Sequence, residues 1–181
     1  MGIARTFQNV ELFRTMTVLD NVLVAASCRL RVGVLEALLR PPWVGRKERE
    51  ARERALELLS FLGLEGVAQM PAGALPFAVQ KKVEIARGLV AQPRLLLLDE
   101  PASGLNHEEL MALGETIRSI CRQMGVTVLL VEHHMNLVMA ISDHVVVLNF
   151  GRKIAEGSPE EVARNPAVIE AYLGEQEDAA A

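Results

Sequence analysis

Four consecutive leucines, Leu95 to Leu98, run directly into Asp99, Glu100 and Pro101. A run of that length, following Pro93 and carrying no polar residue on either side of the pleat, predicts a strand buried on both faces, as in parallel sheets covered by helices. Its neighbours agree with that reading. Gln80 to Val90 places apolar residues at Val83, Ile85, Ala86 and Leu89, a helix that Pro93 stops. Glu108 to Met124 reads as helix, and VTVLLV (Val126 to Val131), after Gly125, as a second buried strand. Asn136 to Ala140 reads as a short helix and HVVVLN as a third strand. This alternation predicts an α/β fold with a parallel sheet core. NFGRK then turns the chain into KIAEG, and SPEE supplies Ser158 as N-cap, Pro159 at the first helical position and Glu161 three residues after the cap. The closing EQEDAAA has the composition of a frayed end.

Upstream, Thr17 to Leu39 is apolar at helix-compatible spacing, with Asp20 and Asn21 near its start, until Pro41 and Pro42 interrupt it. GRKEREARERALELLSFLGL crowds charge into its first half and brings Ala55, Leu56, Leu58, Leu59 and Leu62 into its second, a helix with a solvated start and an inner face that comes late. No repeat or low-complexity tract divides these segments. With 181 residues, half of them apolar and 23% charged, the chain has the makings of one domain with a sizeable core. A net charge of -4 and a pI near 5.6 argue against a nucleic-acid binder. Cys28 and Cys121 lie far apart without metal-ligand spacing and read as small buried hydrophobes in a reducing, cytoplasmic setting. No apolar run approaches the ~20 residues of a membrane span, so contact with a membrane is expected only through a partner.

The carboxylate pair after the leucines is the strongest chemical signal. Ligands of open α/β sheets collect at the carboxyl ends of the strands, where Asp99 and Glu100 are expected. There Asp99 can hold Mg²⁺, through water, and Glu100 can orient or polarise an attacking water. Taken alone, an Asp-Glu pair can equally be a strand ending in solvent.

The surrounding motifs resemble the ATP-binding subunits of ABC transporters along essentially the whole chain. IARTFQN resembles that family's Q-loop, which implies a role for Gln8 in sensing the metal and γ-phosphate. LLLLDEP is similar to the Walker B strand with its catalytic glutamate, Asp99 and Glu100. SGLN, with Ser103 and Asn106, resembles the D-loop, and VEHHMNL the switch-histidine segment, where position places His133 on the switch rather than His134. A histidine there can hydrogen-bond the γ-phosphate and the attacking water. GIARTFQNVELF, ISDHVVVLNFGRKIAEGSPEEV and VIEAYLGE resemble the class that energises branched-chain amino acid uptake. The resemblance implies ATP and Mg²⁺ as cofactors, a second ATPase subunit in a homo- or heterodimer, transmembrane permease subunits as partners, and a place at the inner face of the plasma membrane. Cargo is expected to be read elsewhere, since nothing in these residues recognises an amino acid.

Two departures accompany the matches. Family members carry a G-x-x-x-x-G-K-[ST] loop some tens of residues before the Q-loop. Here the chain starts at the Q-loop, and neither Gly45-Arg46-Lys47 nor Gly151-Arg152-Lys153 supplies the pattern. The expected fold is therefore a partial P-loop NTPase: a parallel sheet core plus a helical subdomain, without the N-terminal P-loop strand and β-subdomain, and with apolar surface exposed in consequence. The second departure lies in the signature, L-S-G-G-Q or L-S-Y-G-Q in the family. Leu75 is kept, but Pro76, Ala78 and Val79 replace the serine, glycine and glutamine that grip a γ-phosphate bound to the opposite subunit. Pro76 brings neither hydroxyl nor N–H, and Ala78 adds a Cβ where glycine allows close approach.

The expected organisation is a helical subdomain over about 15–92, an α/β core over 93–157 with Walker B, D-loop and switch histidine, and a helical extension over 158–181. Asp99, Glu100 and His133 are expected to converge where a terminal phosphate would lie. The favoured function is a transport ATPase, hydrolysis-deficient as the chain stands. A non-hydrolysing relative that serves a transporter as structural or regulatory partner is the alternative. A soluble ABC-type ATPase acting on nucleic acid or ribosomes is disfavoured by the acidic balance.

Overall fold

The computed structural model describes residues 2–6, 11–30 and 42–171. Gln8, the stretch of the first expected helix that runs on to Leu39, Pro41 and the tail beyond 171 lie outside these residues. The chain divides into two compact units, Met1–Val131 and Glu132–Ala181.

The first unit is built on a parallel sheet of β1 (Ile3–Arg5), β2 (Leu95–Asp99) and β3 (Thr127–Val131), with β2 in the centre. Leu95 pairs with Ile3 on one side and Thr127 on the other, and the β2–β3 ladder continues to Asp99 opposite Val131. The leucine run is not covered equally on its two sides, contrary to the expectation from its composition. Leu96 and Leu98 are buried, whereas Leu95, Leu97 and Asp99 are half-buried. On β3, Leu129 and Val131 are more than half exposed, as is Ile3 on β1. The reason is one-sided packing. Helix α3 (Phe77–Leu89) lies against the Leu96 side so closely that a Cβ on its Gly88 would come within 3.0 Å of Leu96 Cδ1.

Helices α1 (Val18–Leu30), α2 (Pro42–Phe61) and α3 pack on one another. Thr17 opens α1 by accepting from the Asp20 N–H at 3.0 Å. Pro42 starts α2 instead of merely ending what precedes it, in keeping with the tolerance of a first helical turn for a residue without an N–H. The inner face of α2 starts earlier than its charge pattern suggested, at Val44, Ala51 and Ala55, and continues through Leu58 and Leu59. Leu56 falls off that face and is exposed. Helix α4 (His107–Met124) is closed at its start by a capping box between Asn106 and Glu109 and at its end by Gly125 in the left-handed region. Cys121, on α4, is half-buried rather than buried.

Two polar side chains inside this unit organise the segment after β1. Asn21 is fully buried; its Oδ1 accepts from the Phe13 N–H at 2.9 Å, and its Nδ2 donates to the carbonyls of Phe13 at 3.0 Å and Thr17 at 2.9 Å. Glu84, buried on α3, accepts from the Glu11 N–H at 3.3 Å. Arg87, one turn on, donates to the Glu11 carbonyl and lies over the Phe13 ring. Residues 11–13 are thus held to α3 through both backbone groups of Glu11. Burial pushes the Glu84 carboxyl above the ordinary carboxylate range, against the lowering effects of the Glu11 N–H, Lys81 and Arg87.

In the second unit, α5 (Met135–Ile141) precedes β4 (Val145–Asn149) and β5 (Arg152–Gly157), and α6 (Pro159–Ala163) and a short helix over 166–171 follow. HVVVLN does not join the parallel sheet. β4 pairs antiparallel with β5, and the third parallel strand is β1, in a stretch read only as a loop motif. The local cause is the turn: Asn149 pairs with Arg152 across Phe150 and Gly151, whose φ values of 46° and 76° match the two-residue hairpin that follows strand twist. Val145, Ala155, Val162 and Val168 form the core of this unit. Ser158 and Glu161 make the reciprocal capping box that SPEE predicts.

Asn21→Ala should lower stability by about 2 kcal/mol, because the Phe13 N–H loses its acceptor and the Phe13 and Thr17 carbonyls each lose one of their two donors; urea unfolding that moves by less than a quarter of this would contradict the assignment. The raised Glu84 pKa gives a second expectation with a definite sign. The folded state holds this proton more tightly than the unfolded chain, so stability should fall as pH rises from the ordinary carboxylate value through the raised one. Glu84→Gln keeps an acceptor for Glu11 and removes the buried charge, so the variant should melt higher at neutral pH with a flatter pH profile. A lower melting temperature would mean that Lys81 and Arg87 outweigh desolvation.

Candidate functional site

The carboxyl end of β2 presents the acidic pair. Asp99 is the last residue of the strand, and the backbone pairing extends one step beyond it, where the Glu100 N–H donates to the Val131 carbonyl at 2.9 Å. Glu100 itself has φ 43°, in the left-handed region that a residue with a long side chain enters at a cost. Such a turn takes Glu100 out of the strict alternation of strand residues. Glu100, Pro101 and Ala102 are followed by a tight reversal in which the Ser103 N–H reaches the Glu100 carbonyl at 3.2 Å and the Leu105 N–H the Ala102 carbonyl at 3.1 Å. Pro101 and Ala102 are buried, so the reversal is anchored.

Asp99 borders an open cavity of about 990 Å³ at this end of the sheet, lined also by Arg5, Glu11, Phe13, Glu84 and Arg87. Its carboxylate is about one-third exposed, and Arg5 Nη2 donates to Asp99 Oδ2 at 2.8 Å. A carboxylate on rigid backbone facing an open cavity is the oxygen donor that Mg²⁺ takes, with the remaining positions left to water and phosphate. Asp99 therefore fits the metal the resemblance implies.

The segment Leu75 to Val79 lies at the start of α3. Leu75 is buried, Pro76 is the N-cap, and no side chain caps the helix there. The Pro76 carbonyl accepts from both Val79 and Gln80 at 3.0 Å, so the Val79 N–H is already engaged within the first turn. Gln80 folds back and donates to the Leu75 carbonyl at 2.8 Å. Phe77 lies against the D-loop-like turn, where a Cβ on Gly104 would come within 3.1 Å of its ring, and Lys81 sits over that ring. Motif reading gave no role to Phe77. Its signal was an aromatic residue beside the Gly104 reversal, legible only once the fold brings 77 and 104 together. Arg5, Glu84 and Arg87 were likewise missed, Arg5 lying in a stretch read as a loop motif and Glu84 and Arg87 in a run read as amphipathic helix. Ser103 is half-buried in the reversal. Asn106 caps α4, accepting from the Glu109 N–H at 3.0 Å, so its side chain is committed to the helix start.

In the second unit, Glu132 Oε2 accepts from the His133 N–H at 3.2 Å and meets His134 Nδ1 at 2.8 Å. The Glu132 side chain is fully buried, whereas the His133 ring is mostly exposed and lies on His134 with centroids 4.3 Å apart. His134 is therefore held by the carboxylate and His133 presents its ring to solvent. Gln8 lies outside the described residues. No helix among the described residues is long and apolar enough to cross a membrane.

Comparison with known proteins places this geometry in a family. The ABC transporter family model matches residues 1–103, and the model for branched-chain amino acid ATP-binding cassette transporters matches residues 152–178. The high-affinity branched-chain amino acid transport ATP-binding protein BraF of Pseudomonas aeruginosa is 48% identical over 96% of this chain and 68% of its own length. LivG of Escherichia coli, of the same description, is 47% identical over 97% of the chain and 69% of its own length. Among solved structures, an ATP-binding cassette of an ABC transporter in its ADP conformation superposes with a TM-score of 0.78 at 33% identity, over 96% of this chain and 68% of that one. The α/β architecture seen here is thus part of an ABC ATPase domain, and the chain belongs to the ABC transporter ATP-binding subunits of the branched-chain amino acid class.

Proposed function

We propose that this chain is the ATP-binding subunit that drives an importer of branched-chain amino acids. The observation that carries the reading is the acidic pair at the carboxyl end of β2, with Glu100 turned into a left-handed conformation that the Val131 carbonyl holds, in a chain 48% identical to BraF. Asp99 holds Mg²⁺, which when bound neutralises charge on the ATP phosphates. Glu100 orients the attacking water and accepts its proton. His133, with its exposed ring, offers a hydrogen bond to the terminal phosphate, and Gln8 senses the occupied site. Ser103 and the Asn106-capped turn present the D-loop to a second ATPase subunit. A helical portion over about 15–92, a core over 93–157 and an extension over 158–181 is the organisation this reading carries with it. The subunit works at the cytoplasmic face of the membrane, beneath permease subunits that read the cargo.

The signature segment favours a second reading for one half of the work. Pro76 as an uncapped N-cap, and a Val79 N–H engaged with the Pro76 carbonyl, leave this helix start short of the donors that would grip the partner subunit's nucleotide. A site closed by this chain's residues 75–79 is therefore hydrolysis-deficient, and there the chain serves the transporter structurally.

Two outcomes follow. Deleting the gene should abolish uptake of labelled leucine, isoleucine and valine, and complementation should restore it; unchanged uptake would remove the cargo assignment. In the assembled transporter, the triple variant Pro76→Ser, Ala78→Gly, Val79→Gln should raise steady-state ATP turnover by about 10²-fold, the scale of one lost donor to developing charge. Equal turnover would show that the altered signature is no defect.

A further inference from the structure

The pairing of β1 with β2 places Arg5 opposite Leu97, and residues paired in this way on parallel strands share a face of the sheet. Leu97 and Asp99 also share a face, so Arg5 stands on the strand beside Asp99, roughly two residues or about 6–7 Å short of it along the sheet. Only a long side chain spans that offset, and the Arg5 guanidinium does so, with Nη2 at 2.8 Å from Asp99 Oδ2. Among the described residues, no other side chain bonds the Asp99 carboxylate. The two side chains are 57% and 34% exposed. Pairs so exposed contribute little to folding, which leaves the contact without a structural reason.

We propose that Arg5 is the resident counter-ion of Asp99 in the metal-free subunit and competes with the divalent cation for that carboxylate. This rests on the reading of Asp99 as the metal-holding residue. While Arg5 occupies Oδ2, the charge of the Asp99 carboxylate is compensated. A divalent cation that takes Asp99 must displace the guanidinium or bind beside it against like-charge repulsion. Arg5 thereby sets a threshold for metal entry at the strand end.

The test is titration of the full chain with Mn²⁺ alone, free Mn²⁺ being followed by electron paramagnetic resonance. Arg5→Gln and Arg5→Ala should each tighten Mn²⁺ binding by about three- to tenfold at low ionic strength, with the gain shrinking as salt rises. Arg5→Lys, which keeps the charge, should stay within about twofold of the unmodified chain. Asp99→Asn should lose the binding. If Asp99→Asn binds Mn²⁺ as the unmodified chain does, the metal-holding reading of Asp99 falls, and this proposal with it. If Asp99→Asn loses binding while neither Arg5→Gln nor Arg5→Ala tightens it, Asp99 holds the metal and the counter-ion role of Arg5 is overturned.

Discussion

The hydrogen bond from the Glu100 N–H to the Val131 carbonyl is where fold and chemistry meet. It carries the β2–β3 ladder one residue past the end of the strand and fixes Glu100 in a conformation that residues other than glycine enter reluctantly. In extended backbone Asp99 and Glu100 would alternate across the sheet as ordinary strand residues do. With that bond, an acidic pair stands on rigid backbone at the end of a strand whose other side is packed by α3. The buried Pro101 and Ala102 then secure the turn that leads to the capped start of α4. A local strain of this kind persists only where the surroundings over-determine it.

The same helix that buries one side of β2 also reaches the other motifs. The start of α3 is the signature segment, where Phe77 touches the Gly104 turn; further along, Glu84 and Arg87 hold residues 11–13, the stretch that leaves the Q-loop. One rigid element therefore contacts three segments whose sequences resemble separate motifs. That arrangement gives Pro76, Ala78 and Val79 their weight: they alter the donor chemistry at the tip of α3 without disturbing the buried face of Val83, Ile85, Ala86 and Leu89 that docks it. The helix is intact, and the change is confined to its first turn.

Much of this was legible in the residues, and the failures have physical causes. The leucine run announced β2, and Ser158-Pro159-Glu161 announced its capping box, because each signal is local. Coverage of the sheet was not local: a run of leucines says only that a strand tolerates burial, and which side receives a helix depends on where α3 and α4 return. HVVVLN could not be assigned to the right partner for a similar reason, since a run of valines fits a parallel or an antiparallel neighbour equally well, and the decision lay in the left-handed Phe150-Gly151 turn. In the candidate site, Asp99 and Glu100 stood out because acidic residues directly after an apolar run are conspicuous. Arg5 and Glu84 did not, because a polar residue within a loop motif or an amphipathic helix declares itself only when a distant segment supplies its partner.

The account turns on Glu100 being the residue that activates water at the end of β2. Single-turnover conversion of ATP to ADP by the transporter assembled on this subunit measures that directly. The account predicts that Glu100→Gln slows phosphate formation by at least about 10²-fold while ATP remains bound as before; equal rates in the two proteins would contradict it.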